Sequence, residues 1–442
     1  MYRDKCAASD PKPAGHLSQV RHCRRCCGLR GLGPRRLAQA RRARVVPISI
    51  SANPSGMAKA RSRSMAFPLE EYRRRLVRTQ GEMEKAKLPI LLLHQPENII
   101  YLTGFDPGPG WYAYHALVVP AKGDPILVVR DVEIPAAEVS SWVKDWTFYS
   151  DTVDILEVAI DAAKRALDQL DLGGGKIGVD EHSWFLTPER YNRLRSKLPH
   201  ASFVAEPKIV DHLRITKSPI EIECIRKGAA AVEAGVKAGI ERVVAGATER
   251  ELASVAFGGI ILAGGELPLN GVIISGDRSD VIHGGFTDRR LQQGEQIYFE
   301  LNGIHQNYHA RMMRTAIAGR PNADQMKVAE TLIRIQDHGI ALMKPGTVAA
   351  RIDDAFRKPV LASGYRQSYT NKTGYSMGLN IRPSSTEGLR EFLPDANWVL
   401  EPGMVFHMLL MAKGIGISET VLVTEAGPER ITKMERKLFW NE

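Results

Sequence analysis

IYFELNGIHQNYHARMMRT, residues 297–315, reads as two strands of one hairpin. The apolar run Ile297-Tyr298-Phe299 leads directly into Glu300, which places that carboxylate near the end of a central strand. A turn is expected near Gly303, and the partner strand begins at Tyr308. Successive side chains of a strand point to opposite faces, so residues 300 and 302 share a face. Glu300 and Arg311 are then expected to approach each other across the hairpin. An acid in that position is either a nucleophile or general base positioned by the arginine, or one half of a space-filling ion pair. Tyr308-His309-Ala310 and Arg314-Thr315 close the same hairpin. His309 is a candidate for the pocket, and Arg314 reads as its support.

Working outward, the chain continues with TGYSMGLN (373–380), EPGMVFHMLLM (401–411) and GIGISETVLVTE (414–425), and is preceded by DVIHGGFTDRRLQQGE (280–295). His407 lies in a strand and by alternation shares a face with Leu409. His283 follows an apparent strand over 272–283. In this order and spacing the segments resemble the pita-bread superfamily of methionine aminopeptidases, prolidases and creatinases, over about residues 66–435. In the metal-dependent members these motifs supply two Asp, one His and two Glu to a pair of metal ions. The matching positions here carry Glu300, Arg311, Tyr375 and Leu409. The last acidic position falls on Ser418 without a gap and on Glu419 with a one-residue gap. Two hard cations need several anionic oxygen or imidazole ligands converging on them, and a guanidinium among those ligands repels them. The resemblance therefore implies a retained pocket with no metal and no other cofactor.

It also implies roles for individual residues. His283 matches the family motif H-x-x-x-T-x-R-x-L-x-x-G, whose histidine transfers protons in the metal-free creatinases. Glu419 is the second carboxylate and a candidate acid–base. Tyr375 offers a phenol that donates a hydrogen bond without calling for a cation. Arg382 stands where the metal enzymes have a second, substrate-contacting histidine, and suits a carboxylate clamp alongside Arg311. The pocket set, with His309 and His407, is most similar to that of bacterial ectoine hydrolases, metal-independent relatives that open a cyclic amidine. LTGFDPGPGWYAYH (102–115) resembles their aromatic loop, so Trp111 or Tyr112 is expected to cap the pocket, across a homodimer. The insert Pro107-Gly108-Pro109-Gly110 departs from that pattern. Met313, where the creatinases have a pocket glutamate directly before the Arg-Thr pair, speaks against creatine as substrate. The expected substrate is a small zwitterion. An Xaa-Pro metallopeptidase or a dimethylsulfoniopropionate lyase of the same fold remains an alternative, as does a catalytically dead binding module.

The net charge of +10 is unevenly spread over the 442 residues. Residues 1–65 hold fifteen Lys or Arg against Asp4 and Asp10, and the remainder holds 45 basic against 48 acidic residues. Three readings of this extension compete: an organellar transit peptide, a nucleic-acid-binding arm, and an over-long reading frame whose start is Met57 or Met65. The third is favoured because domain-like sequence begins directly after Met65, so nucleic acid is not an expected partner; nor is a membrane, since no apolar run approaches ~18 residues. Cys23-x-x-Cys26 lacks a second ligand pair at zinc spacing. Cys224 is the one cysteine beyond the extension, which fits a reducing cytoplasm.

The rest divides into an α/β domain over 66–208, similar to the creatinase N-terminal domain, and a pita-bread catalytic domain over 209–442. In the first, 68–87 and 152–171 have helical periodicity, 88–95 reads as a buried strand, 96–105 as a turn followed by a strand, and 114–131 as a hairpin broken at Lys122-Gly123-Asp124. Gly173-Gly174-Gly175 is a loop, since no phosphate-binding signature follows it. In the second, Pro219, Glu221 and Glu223 suit a helix start. Gly246 and Gly346 open similar helices about a hundred residues apart, a weak repeat fitting the duplicated halves of a pita-bread sheet.

Overall fold

Helix α1 (Leu69–Lys85) buries Tyr72, Leu76 and Met83 along one face. Leu69, expected on the same face, is 40% exposed because it is the first residue of the helix and overhangs the core. The computed structural model describes residues 65–170, 175–267, 271–381 and 386–441. Strand β1 (Ile90–Leu93) follows, and then a helix, α2 (Pro96–Thr103), where the sequence pattern pointed to a strand. Every residue of α2 is buried. With no polar face it shows no helical period, and a short apolar run alone does not separate a strand from a buried helix. Pro96 at its start and Gly104 in the left-handed region (φ 78°) at its end mark the boundaries.

Strands β2 (Ala116–Pro120) and β3 (Ile126–Arg130) form the expected antiparallel hairpin. Helix α3 (Ile134–Ser140) leads to β4 (Trp146–Tyr149), α4 (Ile155–Asp168) to β5 (Lys176–Val179), and α5 (Pro188–Lys197) to β6 (Ser202–Ala205). These strands make a six-stranded mixed sheet in the order β4-β3-β2-β1-β5-β6. Helix α6 (Ile209–Ile215) connects it to the second half, where Arg214 donates to the side-chain oxygen of Asn98 and to the carbonyl of Leu379.

Helices α7 (Pro219–Ile240) and α8 (Glu249–Leu262) both begin with capping boxes, Ser218 with Glu221 and Thr248 with Glu251. Strand β7 (Gly271–Ser275) stops at Ser275, and a 3-10 turn over 276–280 turns the chain away, so His283 sits on a loop rather than at a strand end. Strands β8 (Gln296–His305) and β9 (Tyr308–Ala318) form the central hairpin. Its turn is Gln306-Asn307, both at positive φ (52° and 62°), rather than Gly303. Gly303 is a glycine for another reason. A Cβ there would lie 1.9 Å from the carbonyl oxygen of Gly228, because α7 rests directly on β8.

Helices α9 (Ala323–Ala341) and α10 (Ala349–Ala362) precede β10 (Gly374–Ser376), β11 (Glu391–Phe392), β12 (Val405–Ala412), β13 (Ile415–Thr424), β14 (Gly427–Arg430) and β15 (Phe439–Asn441). The second sheet runs β11-β10-β12-β13-β9-β8-β7, with β14 added to β13 and β15 to β9. The repeat is visible in hydrogen bonds. The Gly246 amide donates to Leu291 and the Gly346 amide to Leu400, both at 2.8 Å, with the two glycines at φ 88° and 82°. Ile297, Phe299 and Leu301 pack under α7 and α8, while Phe406, Met408 and Leu410 pack under α9 and α10. The helices thus cover one face of the sheet and leave the alternate side chains for the other.

Candidate active site

That other face bears a cavity of about 940 Å³, walled by Glu300, Arg311, Tyr375 and Leu409 from the strands and by His283 from the loop after β7. Register explains why they converge. Glu300 lies opposite Met313, Met313 opposite Ser418, and Ser418 opposite Leu409, while Tyr375 lies opposite His407. Directly opposed residues share a face. Arg311, opposite Asn302, reaches diagonally back to Glu300, its Nε donating to Oε1 at 2.9 Å. Both residues are 5% exposed. The Arg311 amide donates to Thr420 Oγ1 at 2.9 Å, and that hydroxyl donates to the Arg311 carbonyl at 2.8 Å, fixing the strand under the guanidinium.

Behind Tyr375 lies His407, with ring centres 5.0 Å apart. Its Nε2 shares a 2.6 Å hydrogen bond with Ser418 Oγ and stands 4.0 Å from Glu300 Oε1, while Nδ1 has no hydrogen-bond partner among the described residues. Burial, and then the Arg311 charge, hold this imidazole well below its ordinary pKa, so it is neutral. Burial opposes the charge on Arg311, but the facing Glu300 carboxylate outweighs it and holds the guanidinium above its usual value. Burial also pushes the Tyr375 phenol up, so it stays protonated. Lys372 and Glu391 form an ion pair on the cavity wall, Glu391 being the cross-strand neighbour of Tyr375.

The five positions that hold metals in related folds do meet on this face, but they present one carboxylate, one guanidinium, one phenol, one hydroxyl and one aliphatic side chain. The only anion, Glu300, is already engaged by Arg311. A pair of divalent ions does not fit such a donor set.

Residues 223–425 match the Metallopeptidase family M24, and residues 75–216 match the Creatinase/Prolidase N-terminal domain. The chain is a pita-bread protein of the M24 family. Among curated relatives, the ectoine hydrolase of Halomonas elongata is 27% identical over 406 residues, covering 85% of this chain and 98% of the relative. The Xaa-Pro dipeptidase of Pyrococcus horikoshii is 26% identical over 361 residues, covering 81% and 96%. Among solved structures, the prolidase from Pyrococcus horikoshii OT3 superposes with a TM-score of 0.72 at 24% identity, covering 83% of this chain and all of that one.

Several expected site residues of this M24 hydrolase lie away from the cavity. Glu419 is opposite Met408, on the helix-covered face of β13, where Arg314 donates to it at 2.7 Å. Arg430, Arg436 and Thr432 also surround it, so the ungapped position, Ser418, is the one that faces the cleft side. Trp111 is 5% exposed and locked by its Nε1 donating to Asp106 Oδ1 at 3.1 Å, edge-on to Phe105 and His115. The Pro107–Gly110 insert forms the 3-10 turn that folds it inward. Tyr112 is 71% exposed and accepts from Arg130, far from any role as a cap within one chain. His309 shares a 2.9 Å hydrogen bond with the Asn380 carbonyl and is pushed by burial down to about 4; it does not wall the cavity. His407 stands behind the wall rather than in it. Arg382 lies outside the described residues. Ser418, the ungapped position, was passed over for Glu419 as the acid–base candidate; Lys372 and Glu391 were not singled out from the sequence, and no local pattern marks them.

Proposed function

We propose that this M24 hydrolase cleaves a non-peptide C–N bond in a small zwitterion, of the cyclic-amidine type taken by ectoine hydrolases, without a catalytic metal. The observation that carries the reading is the Arg311 guanidinium held at 2.9 Å on Glu300, in a donor set that otherwise contains no anion. Cationic Arg311 and Lys372 and anionic Glu300 and Glu391 share the wall, matching a substrate with one charge of each sign. In this reading Glu300 either attacks the amidine carbon, water then hydrolysing the covalent adduct, or deprotonates the water that adds to that carbon; in both cases His283 delivers a proton to the nitrogen as its bond to carbon breaks. Neutral His407 holds the Ser418 hydroxyl at 2.6 Å and so orients it on the cleft side. Tyr375 keeps its hydroxyl proton for a hydrogen bond to substrate. The match to an ectoine hydrolase over nearly its whole length supports the substrate class.

The Xaa-Pro dipeptidases among the relatives favour a second reading, dipeptide hydrolysis. It requires a set of metal ligands, whereas the five matched positions offer a single carboxylate, already paired with Arg311. The discriminating assay offers the purified protein ectoine, other cyclic amidines, creatine and Xaa-Pro dipeptides, each with and without a chelator. Turnover of a cyclic amidine, unchanged by the chelator, is expected. Turnover of Xaa-Pro dipeptides that is lost on chelation and restored by manganese would overturn the proposal.

A further inference from the structure

Away from the cleft, where the six-stranded sheet meets connector α6, His182, Glu206 and Asp211 bring one nitrogen and two carboxylate oxygens within 4.8 Å of one another. His182 follows β5, Glu206 follows β6, and Asp211 lies in α6. We propose that these three residues bind one divalent transition-metal ion, manganese or zinc, which clamps the connector to the first sheet.

Proximity of acids alone would not carry this. The second observation is Glu206. The residue is 5% exposed, its Oε2 accepts from the Ile209 amide at 2.7 Å, and its Oε1 is buried with no hydrogen-bond partner among the described residues. That oxygen faces His182, with Nδ1 at 3.9 Å. A buried carboxylate oxygen without a donor is costly unless something cationic completes it. Nearby Asp180 is already satisfied by the His94 and Gln95 amides, each at 2.7 Å.

The donor set suits the ion. One imidazole and two carboxylates form a borderline-hard set without thiolate, which takes manganese or zinc and leaves positions for water. Donors bound at ~2.1 Å stand roughly 3–3.5 Å apart. The His182 Nε2–Asp211 Oδ2 distance is already 3.2 Å, and the Glu206 oxygen, which now faces Nδ1 at 3.9 Å, joins the same ion when the partly exposed imidazole turns. Asn98 Nδ2 donates to Asp211 Oδ2 at 3.0 Å while Asn98 Oδ1 accepts from Arg214, a second layer that orients the ligand. Through Arg214 and its bond to the Leu379 carbonyl, the clamp reaches the segment that carries Tyr375.

The test strips the full-length protein with a chelator, then titrates it with manganese chloride by calorimetry and by thermal melting. Manganese is the discriminating probe, because the thiols of Cys23, Cys26 and Cys27 take zinc but are poor manganese ligands. One equivalent should bind and raise Tm by roughly 3 °C or more. His182→Ala, at a partly exposed position that folding tolerates, should abolish both effects, and Glu206→Gln should weaken them. Absence of saturable binding, or equal binding by wild type and His182→Ala, would overturn the site. Binding lost in Glu300→Gln but kept in His182→Ala would overturn it too, and would place the ion in the cleft, against the metal-free reading of function.

Discussion

In the proposed reading, Glu300 and Arg311 carry the charge chemistry of the cleft. Glu300→Gln keeps the shape but removes the anion, so turnover should fall by about two to four orders of magnitude, with a much smaller loss in substrate binding. Steady-state kinetics on whichever cyclic amidine is turned over checks this; retained turnover in a protein of lower Tm would reduce the pair to a structural bridge. Ser418 and Glu419 are neighbours in β13 with opposite fates. Ser418→Ala loses the 2.6 Å contact to His407 and should lower kcat with little change in Tm. Glu419→Gln instead leaves Arg314 buried without its counter-charge and should cost about 3–5 kcal/mol of stability while sparing turnover per folded molecule. Chemical denaturation alongside kinetics separates the two. The sequence named the wrong neighbour because a one-residue gap flips a strand residue to the other face, and carboxylate chemistry made Glu419 the more attractive choice.

Elements impose constraints of a different kind. The contact of α7 with β8 depends on Gly303 meeting Gly228, so Gly303→Ala should lose about 1–3 kcal/mol by forcing helix and strand apart. A turn role for Gly303 would predict almost no loss, since its turn is made by Gln306 and Asn307. Buried His115, between Phe105 and Trp111, is depressed by burial to about 4. A depressed histidine contributes stability above its unfolded pKa of about 6.5 that is lost as pH falls toward and through 4. Tm should therefore drop over that window, and drop less in His115→Phe; parallel curves for both proteins would refute the assignment. Helix α2 was unreadable for a related reason. An element buried on every side has no polar face, and periodicity carries information only where one face meets water.

At the scale of the whole molecule, removing residues 1–64 should leave folding and activity intact, because that segment is strongly basic and has no apolar pattern to bury. An insoluble or inactive truncation, judged by expression and Tm, would make the arm part of the fold. The remaining chain was legible to different depths. Motif order, the Gly246–Gly346 repeat and the strand alternation around Glu300, Arg311 and Leu409 determined the fold and most of one wall of the cleft, since a period of two and the spacing of turns are properties of the chain itself. The position of Trp111 was settled by Asp106 and the 3-10 turn, that of Glu391 by pairing with Tyr375, and that of Ser418 by the register of β13 against β12. Those are long-range pairings, and their outcome depends on which buried polar groups find partners once the sheets have formed. No local stretch of sequence carries that information, which is why the cleft's composition could be read in part from the motifs but its membership was decided only by the tertiary structure.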